Sequence, residues 1–88
     1  MVHPLKNILN RLRWDSSERA EEYLITFRHR GAPDDARHVK ASEIQKLGKS
    51  YFTLTSESGE EVTIPFHRIL EVRNTETQEV IWKSRKAS

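Results

Sequence analysis

Two runs in this sequence set a histidine against an arginine where the chain must turn: Arg28-His29-Arg30-Gly31 and Ile64-Pro65-Phe66-His67-Arg68-Ile69. Arginine presents a rigid fork of N–H donors that matches phosphate oxygens, and histidine adds a donor that becomes charged beside an anion. Together they suit a phosphate. Gly31 lets a ligand or another backbone approach Arg30 closely. Pro65 removes a backbone donor and fixes a turn that projects His67 and Arg68. Each residue also has a structural alternative. Alternation places His29 on the side of Tyr23, Ile25 and Phe27, where a hydrogen bond at the rim of the core would account for it. Arg30 could pair with Asp15, Asp34 or Asp35, although a surface ion pair contributes only about 0–1 kcal/mol. His67 could cap backbone groups at the strand break while Arg68 lays its aliphatic stem over the sheet. Among the aromatic residues, Trp14, Tyr51, Phe66 and Trp82 are candidates for stacking a nucleobase, an interaction worth about 1–3 kcal/mol. Trp82 and Phe52 are expected in the core. Only Trp14 and Phe66 lie beside loops that carry the polar candidates.

Catalytic constellations are poorly represented. His3, His29, His38 and His67 contain no pair at the His-x-x-x-His spacing of a zinc site, and no metal or other cofactor is expected. There is no glycine-rich phosphate loop, nucleophile elbow or closely spaced carboxylate pair. A metal-independent ribonuclease using His29 and His67 as base and acid is the one chemically sound enzyme reading, since imidazoles titrate near pH 6.5. The pattern as a whole is that of a binding domain, not an enzyme.

The elements that must position these residues are short. Leu5, Ile8, Leu9 and Leu12 recur at helical spacing behind Pro4, predicting an amphipathic helix of about three turns. Trp14-Asp15-Ser16-Ser17 interrupts it, and Ser17 to Glu21 reads as a loop. Glu22 to Arg30 alternates as a strand, followed by the turn formers Gly31 to Asp35 and a returning strand over Ala36 to Lys40. Ser42-Glu43-Ile44-Gln45 fits a capping box with Gly48 as a stop, predicting a single helical turn, although propensity also allows an extended segment. Tyr51 to Thr55 and Glu61 to Ile64 form a hairpin around Gly59, a residue free to take positive φ. Pro65 ends or bulges the second strand, Phe66-His67-Arg68 turns tightly, and Ile69 to Arg73 resumes extended structure. Asn74 to Gln78 is a polar turn before a last strand, Glu79 to Lys83. The expected fold is α+β: a short N-terminal amphipathic helix packed on a curved antiparallel sheet of about five short strands, with a small barrel as its variant.

Composition sets the outer limits. Eighty-eight residues support one domain, with 84–88 expected to be a frayed basic tail. Such a chain hides only about 60–65% of its unfolded surface, so the core must be thin. Cysteine is absent, which excludes disulfides and thiolate chemistry and favours the cytoplasm. Met1 to Leu12 lacks the pattern of a signal peptide, and no stretch approaches a membrane span. Lys and Arg number 15 against 13 acids, a net +2 too small to force nucleic-acid binding, so the distribution of charge matters more than its sum. The acids gather at Glu18 to Glu22, Asp34-Asp35 and Glu57 to Glu61. The bases gather at Arg11/Arg13, Arg28/Arg30, Arg68 and Lys83 to Lys86.

The run from Leu5 to Asp15, the strand ending His29-Arg30-Gly31, Tyr51-Phe52 and above all Ile64-Pro65-Phe66-His67-Arg68-Ile69 resemble the small, largely archaeal proteins of the RNA cyclic-group-end recognition domain family. The resemblance runs from about Leu5 to Trp82. It implies an RNA-binding module that recognises a terminal, 2′,3′-cyclic phosphate in RNA processing or repair, with Arg30, His67 and Arg68 at matching motif positions. In that family the residue before the first arginine is often acidic; His29 departs from this, which weighs against two-histidine cleavage. The expectation is that Arg30, His67 and Arg68, with His29 nearby, grip the phosphate while Trp14 or Phe66 stacks the last base. The expected partners are RNA and, secondarily, proteins of RNA processing. The alternative from another class is a protein-interaction adaptor that pairs through an exposed sheet edge.

Overall fold

The computed structural model describes residues 4–15, 19–56 and 58–84. Its one α-helix, α1 (Pro4–Trp14), starts on a proline whose missing N–H would have had no helical partner anyway. Leu5, Leu9 and Leu12 are fully buried along one face, while Asn7, Asn10 and Arg11 stay exposed. Arg11 and Arg13 in the last turn complement the negative end of the helix dipole. Arg13 also donates from Nε to the Ile44 carbonyl at 2.9 Å, fastening the helix end to the sheet beneath it.

Seven strands follow: β1 (Tyr23–Arg28), β2 (Ala36–Lys40), β3 (Ile44–Leu47), β4 (Tyr51–Thr55), β5 (Glu61–Pro65), β6 (Ile69–Asn74) and β7 (Val80–Lys83). The α+β architecture of one helix with antiparallel strands is the expected one. The strands form two sheets, ordered β2-β1-β6-β7 and β3-β4-β5, and neither closes into a barrel. Alternation along β1 buries Ile25 and Phe27 and leaves Arg28 exposed. Ile25 lies opposite Val39 of β2 and Val72 of β6, giving an apolar row across the first sheet. Ile44, Phe52, Leu54 and Ile64 supply the second sheet's contribution. The layers meet where the Phe27 and Phe52 rings stand edge to face, 6.4 Å apart.

The chain crosses between the sheets through two short 3₁₀ turns, Ala41–Glu43 and Phe66–Arg68. The first replaces the helical turn expected from Ser42 to Gly48. Glu43 Oε2 accepts the Lys40 N–H at 2.7 Å, so the cap forms two residues earlier than the motif suggested. Ile44 to Leu47 is then extended because pairing with β4 and full burial of Ile44 outweigh local helical preference. The second crossing follows Pro65 as expected, and the Phe66 N–H donates to the Ser50 carbonyl at 2.8 Å.

In β6, Leu70 is an extra residue: Thr26 faces Glu71 while Phe27 faces Ile69. Such a bulge bends the strand and redirects a side chain. The Leu70 carbonyl accepts the Ser84 N–H at 2.9 Å, so Ser84, expected in the frayed tail, is tied to the sheet. Residues 85–88 lie outside the described residues.

Candidate functional site

Arg28, the last residue of β1, is exposed on the face opposite Phe27. Beyond it the chain reverses in a loop closed by hydrogen bonds from His29 N–H to the Asp35 carbonyl (2.9 Å), Ala32 N–H to the His29 carbonyl (3.2 Å) and Asp35 N–H to the Ala32 carbonyl (2.9 Å). Gly31 takes φ +94°, and Asp34 and Asp35 take +59° and +53°. Aspartate tolerates the left-handed region better than most residues, yet each such residue still stores about 1 kcal/mol. This backbone brings Arg30, Asp34 and Asp35 to the same side as Arg28.

Three adjoining hollows result. One of about 370 Å³ is lined by Arg28, Arg30, Asp34, Asp35 and Leu70. Another of about 250 Å³ is lined by Arg28, His67, Arg68, Leu70 and Ser84. A third of about 330 Å³ is lined by Arg28, Arg30 and Arg68. Arg28 borders all three, so they form one cleft into which both sequence-distant turns open. The side chains of Arg28, Arg30, His67 and Arg68 make no hydrogen bond or ion pair with any described residue. Three guanidinium groups and an imidazole therefore converge with no direct ion pair among the described residues, and two carboxylates on one wall offset part of their charge. Like charges held together repel, and an anion among them relieves that repulsion while accepting charge-assisted hydrogen bonds.

The structure thus brings Arg30, His67 and Arg68 together, and corrects three other expectations. Phe66 is 1% exposed and belongs to the core, so it cannot stack a base. A 3₁₀ turn has three residues per revolution; consecutive side chains diverge by about 120°, and Phe66 points inward while His67 and Arg68 point out. His29 does not line the cleft; its ring stands edge-on to Phe27 at 6.3 Å, in keeping with its alternative role at the core rim. Trp14 is 49% exposed but borders a different hollow, with Lys6, Asn10, Lys46, Leu47, Gly48 and Tyr51. Sequence reasoning named Arg28 within its motif but left it out of the expected phosphate grip, and it passed over Leu70. The parity of β1 already set Arg28 beside Arg30, whereas a bulge at Leu70 has no local signature. Among the described residues, no group of three His, Cys, Asp or Glu side chains could hold a metal ion.

Comparison with known proteins adds an independent finding. The family model described as the MJ1316 RNA cyclic group end recognition domain matches residues 2–84. A UPF0248 protein of Methanococcus maripaludis is 40% identical over 81 residues, covering 92% of this chain and 99% of its own length. A UPF0248 protein of Methanococcus vannielii is 37% identical over 79 residues, covering 90% of this chain and 89% of its own. A UPF0248 protein of Pyrococcus furiosus is 37% identical over 82 residues, with 93% and 89% covered. No solved structure matches the chain.

Proposed function

This chain belongs to the MJ1316 RNA cyclic group end recognition domain family, and we propose that it binds the terminal phosphate of RNA in the Arg28–Arg30–Arg68 cleft, favouring a 2′,3′-cyclic end. The observation that carries the reading is the convergence of Arg28, Arg30, His67 and Arg68 on one cleft with no hydrogen-bond or ion-pair partner for their side chains among the described residues. The family's printed description supports RNA as the polymer. The words cyclic group end in that description support the cyclic form. A cyclic phosphodiester brings a negative charge and acceptor oxygens to the three guanidinium groups, where a 3′-hydroxyl end brings neither. Asp34 and Asp35 can accept hydrogen bonds from ribose or base donors beside the phosphate.

We read the domain as a binder that leaves the phosphate intact. General acid–base cleavage by paired imidazoles needs two of them at the scissile group, and among the described residues the cleft wall contributes one, His67. Each charge-assisted hydrogen bond contributes roughly 1.5–3 kcal/mol, so two or three support micromolar binding after ordering costs. Titration of matched oligonucleotides tests this. The 2′,3′-cyclic-phosphate end should bind at least about tenfold better than the 3′-hydroxyl end, a difference of about 1.4 kcal/mol, and Arg68→Ala should erase the difference. Equal affinity for both ends removes the end-recognition claim. Steady opening of the cyclic phosphate, lost in His67→Ala, would make the protein an enzyme instead.

A further inference from the structure

The hollow beside Trp14 shares no lining residue with the phosphate cleft. It measures about 430 Å³ and is lined by Lys6, Asn10, Trp14, Lys46, Leu47, Gly48 and Tyr51, a size within the usual range for ligand pockets. Its two aromatic residues, Trp14 and Tyr51, are 49% and 42% exposed, where a small domain short of core material would be expected to bury them.

Both rings are held in place. Arg13 donates to the Ile44 carbonyl and, so anchored, sets its guanidinium carbon 5.4 Å from the centre of the Trp14 ring. Tyr51 lies against Gly48: a Cβ at that glycine would come within 2.5 Å of the tyrosine ring carbons. The Gly48 N–H donates to the Tyr51 carbonyl at 2.8 Å, closing the turn between β3 and β4 around this contact. Rings fixed in advance lose little freedom when a flat partner settles on them.

We propose that this hollow is a second RNA subsite, which stacks unpaired bases of the strand leading to the phosphate cleft on Trp14 and Tyr51, with Lys6 and Lys46 beside its backbone. Exposed aromatic rings interleaved with cations are the arrangement that binds single strands without reading their sequence. Lys46 remains available, since its contact with Glu61 is a long, solvent-exposed 3.9 Å pair. The backbone links the two sites. Tyr51 pairs with Pro65, and the Phe66 N–H bonds to Ser50, so β4 begins beside the turn that carries His67 and Arg68. Paired strands and a 3₁₀ rise place the Tyr51 and Arg68 backbones roughly 10 Å apart, about three stacked nucleotides.

The inference rests on the RNA reading above and is tested separately from it. Fluorescence anisotropy compares a dinucleotide and an octanucleotide, each ending in a 2′,3′-cyclic phosphate. Trp14→Ala and Tyr51→Ala should each weaken octanucleotide binding about tenfold and leave dinucleotide binding unchanged. Gly48→Ala, which displaces the Tyr51 ring without removing an aromatic group, should reproduce the Tyr51→Ala loss. Unchanged octanucleotide affinity in the Trp14 and Tyr51 variants would overturn the proposal. If Arg68→Ala is silent while Trp14→Ala still weakens a 3′-hydroxyl octanucleotide, the end-recognition reading fails and the stacking subsite stands.

Discussion

Asp34 and Asp35 occupy left-handed backbone beside Arg28 and Arg30, where glycine or asparagine would serve the turn with less strain. If their carboxylates served the fold, they would do so through ion pairs or hydrogen bonds, and neither side chain makes one with a described residue. Asp34→Gly is therefore expected to raise unfolding free energy by no more than about 0.5 kcal/mol in urea, the relief of positive φ less the added freedom of the unfolded chain. A loss exceeding about 1 kcal/mol would instead assign the aspartate a stabilising electrostatic role. At this scale the sequence was informative where a residue forces the backbone: Gly31 and Pro65 marked the turns that expose Arg30, His67 and Arg68. It misled at Phe66 because proximity to a turn says nothing about which way a 3₁₀ revolution points each side chain. Arg28 was named in its motif but not placed in the grip, because the end of an alternating strand looks like ordinary solvated surface until the opposing turn is known.

Among the elements, the 3₁₀ turn Phe66–Arg68 divides its labour, with one side chain for the core and two for the cleft. Phe66→Leu should accordingly cost no more than about 1.5 kcal/mol and leave affinity for a cyclic end unchanged. A tenfold loss of affinity with the fold intact, by circular dichroism and titration together, would return Phe66 to the binding surface. The helix and most strands were legible from period alone, since the 3.6- and 2-residue repeats state which face is buried. The division into two sheets was not. The corners at Ala41–Glu43 and Phe66–Arg68 interrupt the pattern no more than ordinary turns do, and only long-range pairing decides which strands become neighbours. For the same reason β3 was read as a helical turn, its capping motif being local and its partnership with β4 distant. The exposed edge β2 carries Arg37 and Lys40, charges that discourage strand addition and so weigh against adaptor pairing at that edge.

Over the whole molecule, 15 basic and 13 acidic residues nearly cancel, so the proposed attraction for RNA rests on where the charges stand. The clefted arginines and the Lys6–Lys46 hollow concentrate positive charge at two places, and the octanucleotide affinity should fall with salt. A slope of log K against log salt of roughly −2 to −3 is expected for three to four neutralised phosphates on a single strand. A slope near zero would mean that neither place engages the backbone. No helix among the described residues is long and apolar enough to cross a membrane.

The proposed anion seat lies at a seam, because Arg28 belongs to the first sheet and Arg68 to the corner through which the second sheet feeds into it. A guest gripping both would act as a rivet between the layers. Whatever pries the layers apart would evict it, and in a domain with so slender an interior, occupancy and mechanical integrity would rise and fall together.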